Sequence, residues 1–88
     1  HRRAPAEREG ATAAAAEGAR RTVEQLRQRG LPCPIVGGAG TGTFALEAGS
    51  GVFTEIQAGS YAFMDADYAR NEAPPPFRQS LFVLATVM

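Results

Sequence analysis

The chain has 88 residues, which accommodates one small domain. Nine arginines balance nine acidic residues, so no net charge favours nucleic acid or a membrane surface. No stretch reaches the roughly 18 apolar residues of a membrane span, and the single cysteine, Cys33, allows no internal disulfide and suits a reducing compartment. The sequence therefore predicts a cytoplasmic protein that binds neither nucleic acid nor membrane.

The N-terminal third predicts one helix. Residues 1–10 are polar and contain Pro5, which indicates a loop. Apolar side chains recur at helical spacing over residues 11–29, and interleaved Arg and Glu indicate a solvated face. Gly30 is a natural helix end, and the prolines after it prevent continuation.

Two β/α units and a third strand follow. Residues 35–36 indicate a short buried strand, residues 43–48 a short helix and residues 52–58 a second strand. One face of this second strand is predicted to consist of Phe53, Glu55 and Gln57. The Pro-rich residues 71–80 predict a stiff linker at a domain boundary, and the apolar residues 81–88 a strand. This order predicts an α/β fold with a parallel sheet or barrel.

Each of the first two predicted strands runs into a glycine-rich turn. The first turn is residues 37–43, GGAGTGT, and the second turn is residues 57–61, QAGSY. Such turns present backbone N–H groups and hydroxyls that suit a phosphate, although most glycine-rich turns only reverse the chain. The first turn matches neither a dinucleotide fingerprint nor a P-loop. Loops after the last strands of a (β/α)₈ barrel often bind phosphate, which fits two successive turns.

Other polar side chains carry weaker signals. Asp65 and Asp67 are two residues apart and share no helix face, which favours a surface or capping role over acid–base catalysis. Tyr68 is predicted to lie in a core or an interface. Cys33 has no basic neighbour that would activate its thiol, so we expect a buried or half-buried small residue.

Three runs resemble a known family. PIVGGAGTGTF, TEIQAGSYAFMDADY and PFRQSLFVLATVM, in this order, are similar to the D-threonine aldolase and D-serine dehydratase family of pyridoxal-phosphate enzymes, whose barrel is like that of alanine racemase. The family usually has glycine where Ala39 stands and tyrosine where Phe44 stands. The resemblance implies that residues 1–70 are the C-terminal part of the cofactor-binding (β/α)₈ barrel, with its last two β/α units. Residues 71–80 would be a linker, and residues 81–88 the first strand of a second, β-rich domain.

The resemblance also implies a cofactor site. The phosphate of pyridoxal 5'-phosphate would be held by Gly40, Thr41, Gly42, Gly59, Ser60 and Tyr61. Gln57 lies two residues before Gly59, so we expect it to face the pyridine nitrogen, where alanine racemases have an arginine; the alternative is that Gln57 satisfies a backbone group inside the barrel. No catalytic residue is expected here, because the family's Schiff-base lysine lies earlier in the barrel and this chain contains no lysine. Ligands for a divalent metal would lie outside this chain.

The function implied is that of a fragment of a pyridoxal-phosphate-dependent lyase, inactive alone, that cleaves D-3-hydroxy amino acids by a retro-aldol reaction. Dehydration of D-serine and a non-catalytic phosphate-binding module remain open alternatives, whereas Gln57 argues against a racemase. The expected partners are a small D-amino acid, the rest of the parent chain and, as a candidate, a second copy in a homodimer.

Overall fold

The computed structural model describes residues 4–88, which form helices and a two-stranded parallel sheet. In chain order the elements are α1 (Pro5–Gln28), β1 (Gly37–Gly38), α2 (Phe44–Gly49), β2 (Glu55–Ile56), a 3₁₀ turn (Ser60–Ala62) and α3 (Ala66–Ala69). The alternation of helices with parallel strands confirms the α/β class, and the short helix predicted over residues 43–48 is α2.

Helix α1 is longer than predicted. It begins at Pro5, because proline fits the first helical position, where no N–H partner is needed. The predicted loop is therefore wrong for residues 5–10, while residues 1–3 lie outside the described part. The helix ends as predicted: Gly30 has φ +75°, and the N–H groups of Gly30 and Leu31 donate to carbonyls of the last helical turn. No helix within residues 4–88 is both long and apolar enough to cross a membrane.

Strand β1 is displaced by two residues from the predicted strand, and β2 is shorter than predicted. They pair in parallel, with Gly37 opposite Glu55 and Gly38 opposite Ile56. The run at residues 35–36 precedes β1 instead of forming it, although Val36 contacts the other strand. A bend at Thr54, whose hydroxyl accepts the Val36 N–H at 2.9 Å, interrupts the ladder before Glu55.

The two glycines of β1 show which side chains lie on each face. A Cβ on Gly37 would stand 2.6 Å from Gln57 Nε2, and one on Gly38 would stand 2.5 Å from the Phe53 ring. Because neighbouring strand residues point to opposite faces, Gln57 and Phe53 lie on opposite faces of β1. The prediction that Phe53 shares a face with Glu55 and Gln57 is wrong, since the bend at Thr54 breaks the alternation.

The Pro-rich segment, residues 71–80, lies against the α/β part and does not stand away from it. At its start, the Arg8 guanidinium donates to the carbonyls of Glu72 and Ala73 at 2.7 and 3.3 Å. At its end, the Ser80 N–H donates to the Phe63 carbonyl at 2.8 Å.

Residues 81–88 form no strand, contrary to the prediction. The six large apolar side chains of this segment are each at least 67% exposed, and no other part of residues 4–88 pairs with it. A strand needs a neighbour to accept and donate its backbone hydrogen bonds, and none is present here. The only buried apolar side chains within the described residues are Ala16 and Met64, so the core is minimal.

Candidate functional site

The two glycine-rich turns are joined directly to each other. Thr41 of the first turn is 1% exposed, and its Oγ1 accepts the N–H of Tyr61 of the second turn at 2.9 Å. Within the first turn, the Gly40 carbonyl accepts from the N–H groups of Thr43 and Phe44 at 3.1 and 3.0 Å. The Thr41 side chain therefore sets where the second turn lies relative to the first.

Of the six predicted phosphate residues, four have a backbone N–H group that is unused. The amides of Thr41, Gly42, Gly59 and Ser60 donate to no acceptor within residues 4–88. Each turn contributes two of them, and Gly59 and Ser60 are exposed. Unpaired backbone amides in two joined turns are donors with which an anion can be bound, so this arrangement suits a phosphate.

The remaining predicted phosphate contacts have other partners. The Gly40 N–H faces the Thr43 hydroxyl at 3.5 Å, and that hydroxyl in turn donates to Glu47 at 2.7 Å. The Tyr61 N–H is taken by Thr41. The structure thus brings all six predicted phosphate residues together, but their free hydrogen-bond donors are concentrated in four amides and the exposed Ser60 hydroxyl.

The first turn contains a strained residue. Ala39 has φ +75°, in the left-handed region that disfavours any residue with a Cβ. This is the position at which the resembled family usually has glycine. The turn keeps its shape with alanine, at a cost of about 1 kcal/mol.

Gln57 lies on the same face as Glu55. Its Nε2 donates to Glu55 Oε1 at 3.1 Å while its amide packs over Gly37, and both side chains are exposed. One amide hydrogen and the carbonyl oxygen of Gln57 remain available to a ligand.

An aromatic cluster connects the Pro-rich segment to both turns. The Phe77 ring lies 5.7 Å from that of Phe44 and 5.6 Å from that of Tyr61, measured between centroids. Phe44 directly follows the first turn and Tyr61 belongs to the second. Sequence analysis did not identify Phe77, because no local pattern indicates a contact so distant along the chain.

A cavity of about 230 Å³ is lined by residues of the first turn, α1 and α3. Its lining includes Arg8, Thr12, Tyr68 and Asn71. Asn71 is 7% exposed, and its Oδ1 has no hydrogen-bond partner within the described residues. No pattern in the sequence indicates that Asn71, two residues after α3, is buried.

The weaker sequence signals correspond to local structure. Asp65 caps α3, its Oδ1 accepting the Tyr68 N–H at 2.8 Å, which confirms the capping role. Cys33 is a half-buried free thiol, as predicted. Within residues 4–88 no three His, Cys, Asp or Glu side chains cluster closely enough to hold a metal.

Comparison with known proteins shows that this chain is similar to aldolases that act on D-amino acids by name. The chain is 58% identical over 65 residues to D-threonine aldolase from Arthrobacter sp. and 42% identical over 73 residues to 3-hydroxy-D-aspartate aldolase from Paracoccus denitrificans strain Pd 1222. These matches cover 72% and 75% of this chain. The crystal structure of D-threonine aldolase from Filomicrobium marinum matches 91% of it, with a TM-score of 0.86 and 52% identity. No protein-family model matches.

The chain is a homologue of one segment of these aldolases. It spans 17% and 19% of the two curated relatives, and 22% of the solved D-threonine aldolase. The high TM-score at 52% identity means that the matched 91% of this chain has the backbone arrangement of a segment of D-threonine aldolase. The α/β architecture described above is thus that of an aldolase segment.

Proposed function

We propose that this chain forms the phosphate-binding segment of a longer pyridoxal-phosphate-dependent lyase that cleaves D-3-hydroxy amino acids. This longer protein is called the complete enzyme below. The observation that carries the proposal is the pair of joined turns with four unused amides, in a chain homologous to a segment of aldolases. Residues 1–70 would belong to the last two units of its (β/α)₈ barrel, and residues 81–88 to a second, β-rich domain.

The residues present fit a phosphate monoester. Its dianion accepts several hydrogen bonds, and the two turns offer the amides of Thr41, Gly42, Gly59 and Ser60 and the Ser60 hydroxyl. The buried Thr41 hydroxyl keeps the turns together, and its own proton remains free to donate. Gly40 shapes the first turn through its carbonyl, and the Tyr61 ring borders the second.

The bound cofactor would supply an electron sink for cleavage of the bond between the α and β carbons. This chain contains no lysine, so the covalent attachment of the cofactor would come from residues outside it. A divalent metal, if the complete enzyme uses one, would likewise have its ligands elsewhere. The role of residues 37–61 is to hold and orient the cofactor.

Gln57 is proposed to face the pyridine nitrogen. Glu55 holds one of its amide hydrogens, which fixes the orientation of the amide plane. A neutral amide can donate to the ring nitrogen without protonating it. In Gln57→Glu the new carboxylate would stand beside Glu55, and repulsion between the two would favour a shared proton. We expect altered long-wavelength absorbance with substrate; an unchanged spectrum and rate would remove this placement.

Cofactor titration tests the phosphate site. Ser60→Ala in the complete enzyme removes one hydroxyl donor to a charged group, worth about 1.5–3 kcal/mol, and should weaken cofactor affinity about tenfold to a hundredfold. Turnover at saturating cofactor should fall less. Ser50→Ala is the matched control, because that hydroxyl donates to the Glu47 carbonyl within α2. Equal affinities for wild type and Ser60→Ala would count against the site.

Product analysis separates the candidate reactions. Retro-aldol cleavage of D-threonine gives glycine and acetaldehyde, whereas dehydration of D-serine gives a 2-oxo acid and ammonia. The names of both relatives favour cleavage. A complete enzyme that binds the cofactor but forms neither set of products would support the non-catalytic phosphate-binding module instead.

A further inference from the structure

Phe77 contacts the residues that flank both turns. Its ring packs at 5.7 Å from Phe44, the first residue of α2, and at 5.6 Å from Tyr61 of the second turn, with interplanar angles of 43° and 50°. Such tilted arrangements are favourable for aromatic pairs. Besides the Thr41–Tyr61 hydrogen bond, this cluster is a second connection between the two turns.

The segment that carries Phe77 is held at both ends. Arg8 of α1 donates to the Glu72 and Ala73 carbonyls, before the prolines. Ser80 donates through its N–H to the Phe63 carbonyl at 2.8 Å, and through its hydroxyl to the Ala62 carbonyl at 3.1 Å. Three consecutive prolines between these anchors restrict the backbone that leads to Phe77, whose side chain is 36% exposed.

The second turn needs such support. Gly59 and Ser60 are exposed, and the Tyr61 side chain is 50% exposed. Hydrogen bonds from amides weaken steeply as distance and angle depart from their optimum, so four donors act together only when the turns keep a fixed separation. The contacts of the Phe77 ring with Phe44 and Tyr61 provide that constraint before the anion arrives, which lowers the entropic cost of binding.

We propose that Phe77 is a positioning residue for the cofactor phosphate: its ring fixes the separation of the two turns without touching the ligand. This inference rests on the proposed function. It assigns to residues 71–80 a role in cofactor affinity in addition to that of a connection between domains.

Affinity of the complete enzyme for pyridoxal 5'-phosphate tests this role. Phe77→Leu keeps an apolar side chain but loses both ring pairs, and we expect affinity to fall about tenfold, since each pair contributes a factor of about two to ten. Phe77→Tyr keeps the ring and should stay within about twofold of wild type. Phe63→Leu is the matched control, because the Phe63 side chain is 57% exposed and lies outside residues 81–88. At saturating cofactor, Phe77→Leu should retain its turnover.

The outcomes separate positioning from general packing. Wild-type affinity in Phe77→Leu, or an equal loss in Phe63→Leu, would overturn the inference while leaving the phosphate site intact. Loss of turnover at saturating cofactor would also overturn it. If Phe77→Leu fails to fold, Phe77→Met takes its place under the same criteria. A wild-type enzyme that binds no pyridoxal 5'-phosphate would remove the proposed function and this inference together.

Discussion

The two glycine-rich turns and residues 81–88 are equally clear in the sequence, but only the turns find partners within this chain. In the turns, Thr41 is buried against Tyr61, and Phe77 packs on both sides. In residues 81–88 every large apolar side chain is at least 67% exposed. The contacts that hold the turns together therefore lie within this chain, whereas nothing within residues 4–88 covers the C-terminal segment.

The difference has a physical cause. A turn closes on itself over a few residues, so glycines and hydroxyls are enough to define it. A strand that is apolar on both faces needs a neighbouring strand and a layer on each side. In the complete enzyme we expect the second domain to provide these.

Leu84→Glu in the complete enzyme tests whether residues 81–88 are buried against the second domain, and it has the largest expected effect. Leu84 is fully exposed here, so a charge there should be harmless unless residues 81–88 become buried in the complete enzyme. We expect a loss of about 3 kcal/mol or more, because an unpaired charge would be buried. Gln79→Glu, a nearby exposed position, is the control. Chemical denaturation that gives Leu84→Glu and Gln79→Glu the same free energy of unfolding would contradict burial of this segment.

Thr41→Val tests the connection between the turns. Valine has the same shape but leaves the Tyr61 N–H without an acceptor at a site that is 1% exposed, so we expect a destabilisation of about 1–3 kcal/mol. The control is Thr22→Val, whose exposed hydroxyl donates to the Gly18 carbonyl in α1. If denaturation finds the two variants equally stable, Thr41 does not hold the turns together.

Ala39→Gly should stabilise the first turn by about 1 kcal/mol, because glycine adopts φ +75° without strain. The same substitution at Ala48, an exposed residue of α2, should destabilise by roughly 0.5–1 kcal/mol. Opposite signs of the two changes in unfolding free energy would confirm the left-handed conformation. Destabilisation in both variants would exclude it.

The smallest expected effect on stability is that of replacing Glu24 on α1. Hydrogen bonds from Arg27 and then Gln28 lower the pKa of the Glu24 carboxyl below its usual 4.5. The stabilisation is thus present above pH 4.5 and is lost as pH falls through the lowered pKa. The pair is exposed, so Glu24→Gln should leave the melting temperature at pH 7 almost unchanged. A large shift would mean that α1 packs against a surface outside the described residues.

Local features were predictable from the sequence, and long-range contacts were not. The Gly30 helix end, the Asp65 cap and α2 depend on neighbouring residues, and each was predicted. Pro5 was misinterpreted because proline breaks a helix interior but begins a helix well. The strand predicted over residues 52–58 was longer than the observed β2, because an alternating sequence pattern does not indicate the bend at Thr54.

In the candidate site, too, local features were predictable and long-range contacts were not. The glycine turns were identified from their composition, but the contacts that fix their separation were not. Thr41 meets Tyr61, and Phe77 meets Phe44, across long stretches of chain. Such pairings follow from the path of the whole backbone, which no short motif encodes.

A crystal structure of the complete enzyme with pyridoxal 5'-phosphate tests the central claim most directly. The account predicts phosphate oxygens at about 2.7–3.2 Å from amide nitrogens of both turns, among Thr41, Gly42, Gly59 and Ser60. A phosphate bound elsewhere, with these four amides facing only solvent or other protein groups, would contradict it.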